Sequence, residues 1–116
     1  GKEKAMGNQL YEFTMKVLRG AGCDLPKGMT GAYVPTYAAA PDYQAALRKG
    51  VAAITGMGYV FSDLQGEVRE IPVASWSDYV PKVWPEFVGE LPSSENLPRL
   101  IEEGAIFFGP FAGFNS

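Results

Sequence analysis

Between residues 31 and 74 the chain switches from extended periodicity to helical periodicity and back, which limits the available folds more than any other feature. The run AYVPTYAAA (residues 32–40) reads as a strand, placed at an edge or a bulge because Pro35 has no N–H for the ladder. Pro41 and Asp42 then open a helix, since proline is tolerated where an N–H would lack a partner and Asp suits the positive end of the dipole. Along this helix Tyr43, Ala46, Leu47, Gly50, Val51 and Ile54 share one face, while Gln44, Arg48, Lys49 and Thr55 fall elsewhere. Gly56 and Gly58 supply the stop. Two more extended runs, residues 59–64 and 68–74, flank Gln65-Gly66, a connection short enough to predict a hairpin. That hairpin would put Val60, Leu64, Ile71 and Val73 on one face and Phe61, Asp63 and Glu70 on the other. A strand, a helix and a strand of these lengths predict a right-handed crossover with the helix against one side of a sheet.

Outside this stretch the pattern is shorter-ranged. Residues Gln9–Leu18 alternate, with Tyr11, Phe13, Met15 and Val17 against Glu12, Thr14 and Lys16, and so predict a strand with one buried face. Leu10, Phe13, Val17 and Leu18 also fit helical spacing, and the alternating charges decide for the strand. The glycine-rich run at residues 20–31 is loop chemistry, and its spacing matches no phosphate-binding signature. Ser75 or Ser77 can cap a short helix holding Asp78, Tyr79, Val80 and Val83 that Pro85 ends. Leu97, Leu100 and Ile101 suggest another, stopped by Gly104, and residues 105–108 can add a strand. The expected order is β-β-α-β-β-α-α-β. This describes a single α+β domain: a four- to five-stranded, mainly antiparallel sheet with helices chiefly on one face, in a ferredoxin-like or split βαβ layout. Residues 1–7 are set apart as disordered or as an added leader, because Gly1 to Ala5 precede an internal Met6.

Composition narrows the function. With 116 residues the chain can bury roughly two thirds of its unfolded surface without a metal or disulfide. A single cysteine, Cys23, excludes an internal disulfide, so a reducing cytoplasm is the expected compartment. No apolar run approaches the roughly 18 residues of a membrane helix, and no membrane partner is expected. Up to Met57 seven bases face four acids, +3; from Gly58 onward three bases face nine acids, −6. Nucleic-acid binders need clustered Lys and Arg, so this balance argues against such a partner and suits a basic protein in the second half.

The absence of histidine removes Ser-His-Asp and Cys-His catalysis, the usual zinc sites and the commonest neutral-pH base. Asp63, Glu67 and Glu70, with Asp78, are the best remaining carboxylate cluster, but their spacing fits no calcium loop and a solvated hairpin face with Arg69 nearby is the preferred explanation. No metal or cofactor is expected. The positive signal is aromatic. Trp76, Tyr79, Trp84 and Phe87 crowd next to Pro81 and Pro85, and Phe107, Phe108, Phe111 and Phe114 follow in the tail. Exposed aromatics beside acids have the composition of a protein-binding patch. The candidate binding residues are therefore Trp76, Asp78, Tyr79, Trp84, Phe111 and Phe114, with no catalytic residue among them. The resulting expectation is a non-enzymatic, cytoplasmic protein-binding module, of an inhibitor or immunity type or self-associating. The alternative is a small-ligand binder or modest carboxylate- or tyrosine-based enzyme with a pocket beside Glu70, Asp78 and Tyr79.

Overall fold

The computed structural model describes residues 7–23 and 25–115. Apart from Gly7, the leader expected to be disordered lies outside the described residues. The alternating N-terminal run forms β1 (Gln9–Leu18), with Phe13, Met15 and Val17 fully buried on one face and Leu10 on the other. β1 pairs antiparallel with β2 (Gly31–Ala40) on one side and with β3 (Val60–Glu70) on the other. β2 and β3 therefore run parallel to each other with β1 between them, joined through helix α1 (Tyr43–Gly56). Asp42 caps this helix by accepting from the Ala45 N–H at 2.8 Å, satisfying one donor of the first turn. The buried stripe is narrower than its periodicity suggests: Ala46, Gly50 and Ile54 are buried, whereas Tyr43 at the first turn is 52% exposed.

Three expectations change. β2 is a central strand, because β4 (Ile106–Phe108) and β5 (Ala112–Phe114) both pair with its outer side. Pro35 sits opposite the gap between those two short strands. Its carbonyl accepts from the Gly109 N–H at 2.9 Å, and its missing N–H faces the same gap, since both groups of a residue in an antiparallel strand point to one side.

The hairpin does not form. β3 runs on along β1, with register shifts between Glu12 and Thr14 and between Lys16 and Val17. A type I′ turn needs positive φ at both central residues; Gly66 has φ +82°, but among the described residues no non-glycine has positive φ, so Gln65-Gly66 is not in that turn. Gly66 bends the strand instead, and β1 supplies the free ladder that β3 follows. The second shift leaves Ser62 without an opposite residue, which brings Phe61 and Leu64 onto the α1 face together.

The helices also occupy both faces. α1 covers Phe13, Met15, Val17, Val34 and Ala38, while α2 (Trp76–Val83) and α3 (Leu97–Glu102) cover Leu10, Tyr37, Ala39 and Ile71 opposite. Nearly every residue of β2 is buried, so neither face of this strand can be left to water and the one-faced, ferredoxin-like arrangement gives way. Among the described residues the product is a single α+β domain with a five-stranded antiparallel sheet and three α-helices. Among the described residues no helix is long and apolar enough to cross a membrane.

Candidate functional site

Antiparallel register stacks neighbouring strands into cross-strand rows. On the α2/α3 face the first row is Leu10 and Ala39, and the second is Arg69, Glu12, Tyr37 and Phe107. Next come Gln65, Thr14 and Pro35, then Asp63, Lys16, Tyr33 and Ala112, and finally Val60, Leu18, Gly31 and Phe114. The helices cover the first two rows. The last two stay open, with Leu18 and Val60 exposed, and the boundary is marked by Trp84. Trp84, Gly109 and Pro35 are packed so tightly that a Cβ on Gly109 would lie 3.2 Å from the Pro35 side chain and 3.4 Å from the indole.

The second row organises an aromatic cluster. The fully buried Tyr37 ring lies 5.4 Å from Phe107, stacked, and 5.5 Å from Trp76, edge-on. Its hydroxyl accepts from Trp84 Nε1 at 2.6 Å and lies 2.8 Å from the Tyr79 hydroxyl. An indole nitrogen only donates, so the Tyr37 proton is left for Tyr79. Trp76 stacks on Tyr79 at 5.5 Å and donates to the Pro92 carbonyl at 2.8 Å. Burial pushes the Tyr37 phenol far above its ordinary value and also raises Tyr79. Burial raises the nearby Glu12 carboxyl too, opposed by the Arg69 guanidinium 3.9 Å away. Both phenols are therefore neutral at physiological pH, and the cluster offers no phenolate base or nucleophile.

The segment after α2 forms a cleft beside this cluster. Trp84 leaves the helix at φ −128°, its N–H still bonded to the Val80 carbonyl at 2.7 Å, and Pro85 prevents continuation. Phe87 then donates its N–H to the Trp84 carbonyl at 2.9 Å, a turn that brings both rings to one side. Val83, Trp84, Pro85, Glu86, Phe87 and Pro110 line the resulting cleft of about 360 Å³. Two other clefts lie by Trp76 and Pro92, about 430 Å³, and by Asn8 and Arg99, about 610 Å³. Glu70, Asp78 and Tyr79 line none of these three.

Of the sequence-predicted residues, Trp76, Tyr79 and Trp84 come together around Tyr37. Trp76 is a core residue at 1% exposure, and Trp84 alone of the three lines the aromatic cleft. Asp78 is exposed in the first turn of α2. Phe111 lies on the α1 face, 5.8 Å from Phe108 and 5.9 Å from Tyr59. Phe114 lies in the last open row, with Tyr33 at 5.1 Å and Lys16 Nζ at 5.6 Å from its ring centre. Asp63, Glu67 and Glu70 are strung along β3 as exposed residues, Asp63 opposite Lys16 and Glu70 opposite Tyr11 on the other face. Among the described residues no group of three His, Cys, Asp or Glu side chains is placed to hold a metal. Sequence reading missed Tyr37 as the hub; its signal is parity, since Tyr33, Pro35 and Tyr37 occupy the odd positions of a strand whose even positions face α1. It also passed over Glu86 and Pro110, which join the cleft only through the tertiary fold. Comparison with protein-family models, with curated proteins and with solved structures returns no match.

Proposed function

We propose that this chain is a non-enzymatic, cytoplasmic protein-binding module, and that it grips its partner at the Trp84 cleft. The observation that carries the reading is the lining: two aromatic rings, two prolines and an exposed valine beside the carboxylate of Glu86. Rigid aromatic surface at the centre of a patch is what binding hot spots use, because it adds contact area at little entropic cost. Trp84 is held in place before any partner arrives by its bond to Tyr37. From Val83 to Pro98 the chain carries Glu86, Glu90 and Glu95 and no base, which favours a basic partner over an acidic one.

Partner capture tests this with substitutions confined to the cleft. Glu86→Lys and Phe87→Ser are expected to abolish recovery of a basic partner from lysate, while Asp78→Lys, on α2 outside the cleft, leaves it intact. Capture that survives both cleft substitutions in folded protein refutes the reading. Self-association would instead use the uncovered rows, and would shift the Lys16, Tyr33 and Phe114 resonances with chain concentration.

A further inference from the structure

The class of partner segment follows from which recognition modes the edges and clefts permit. Strand addition needs a free, regular edge. The outer edge consists of β4 and β5, three residues each and interrupted at Gly109-Pro110. The opposite edge, β3, is broken by two register shifts and carries Asp63, Glu67, Arg69 and Glu70 along its exposed length, the features that keep edges from pairing. A helix laid in a groove needs room for a body about 10 Å across and anchors over two turns. The Trp84 cleft, about 360 Å³ and lined by Pro110 and the short run 83–87, suits a short extended segment better than two turns of helix. What remains is the mode in which a polyproline-type segment lies across rigid aromatic and proline surfaces.

We propose that the Trp84 cleft binds an extended, proline-containing segment of a partner protein that carries an arginine beside its prolines. This rests on the protein-binding reading and specifies its ligand. The Trp84 nitrogen is already bonded to Tyr37, so the ring face and not the N–H is offered to the peptide. Proline rings of the segment pack between Trp84 and Phe87, with Pro85 and Pro110 at the sides. Such a segment is already ordered when free, so little entropy is lost on docking. The arginine stem covers an aromatic ring while its guanidinium meets Glu86, combining cation–π contact with charge pairing.

The test is a titration of the ¹⁵N-labelled chain with a blocked peptide alternating proline and leucine around one arginine. Saturable shifts are expected at the Trp84 indole and at the Val83, Glu86 and Phe87 amides. Replacing the prolines by glycine, or the arginine by glutamate, is expected to weaken binding by at least about tenfold. The same loss is expected for Glu86→Lys, a substitution at an exposed residue that leaves the core untouched. Equal binding of the glycine peptide, or no shift at these residues with any peptide, overturns the inference. Partner capture that is lost in the cleft variants would in that case still support the protein-binding reading, and capture that survives them would remove it.

Discussion

Replacing Tyr37 with Phe tests whether the candidate site is built by one buried hydroxyl. The phenylalanine keeps the ring contacts to Trp76, Tyr79 and Phe107 and removes only the oxygen that receives Trp84 Nε1 at 2.6 Å and meets Tyr79 at 2.8 Å. Two net hydrogen bonds of about 1 kcal/mol each are lost, a total of about 2 kcal/mol, and the half-buried indole N–H left short of a partner keeps the loss from falling below that. In a domain of this size that lowers the midpoint of thermal unfolding by about 8 °C. Urea unfolding followed by circular dichroism measures the energy, and the two indole N–H resonances report where it is spent. The Trp84 signal moves and the cleft loosens, while Trp76, bonded to the Pro92 carbonyl, serves as an internal control. Tyr79→Phe removes the acceptor of the Tyr37 proton, so the double mutant costs less than the sum of the singles, with a coupling of about 1 kcal/mol. A Tyr37→Phe protein within about 0.5 kcal/mol of the parent, or one in which both indoles shift together, refutes the hub.

Two glycines of α1 give a second test of opposite signs. Gly50→Ala gains about 1 kcal/mol in helix propensity but puts a Cβ 2.8 Å from the buried Phe13 ring, an overlap that costs about 1–3 kcal/mol and wins because the ring is fully enclosed. Gly56→Ala meets nothing within 4 Å and is expected to raise the urea midpoint slightly, so two changes of the same sign would contradict this packing. Glu12 provides a pH test. Burial raises its folded carboxyl above the ordinary 4.5, so its share of stability is present in acid and is lost as pH rises from the unfolded value through the folded one. The stability of Glu12→Gln relative to the parent should therefore improve from pH 4.5 upward, and a relative loss over that range would mean that the Arg69 pair outweighs burial.

The sequence was legible wherever a residue's environment follows from neighbours within a few positions. The strand β1 shows its buried face as strict alternation, and α1 shows its cap at Asp42. The Gln65-Gly66 hairpin failed for a non-local reason. Locally a turn and a bulge use the same glycine, and only the unpaired side of β1 decides between them. The number of covered faces was hidden in the same way: an alanine-rich β2 with large residues at Tyr33 and Tyr37 can be half exposed or fully enclosed, depending on what α2 and α3 do. The short β5 carries only three residues and draws its pairing from β2, so no run length announces it.

The candidate site was half legible for a related reason. Clustering in sequence identified Trp76, Tyr79 and Trp84, which do meet, but it could not show that they meet around Tyr37, more than thirty positions upstream. Different indole acceptors explain why the two tryptophans, eight positions apart, have different fates. Trp76 sends its N–H to the Pro92 carbonyl and turns fully inward, at 1% exposure, whereas Trp84 sends its N–H to Tyr37 and keeps part of its ring at the surface beside Pro85 and Phe87. A surface aromatic that satisfies its only polar group internally has nothing left to offer water except its ring. Leaving that ring partly uncovered has a hydrophobic cost of about 25 cal/mol per Å², and a docking segment would recover it.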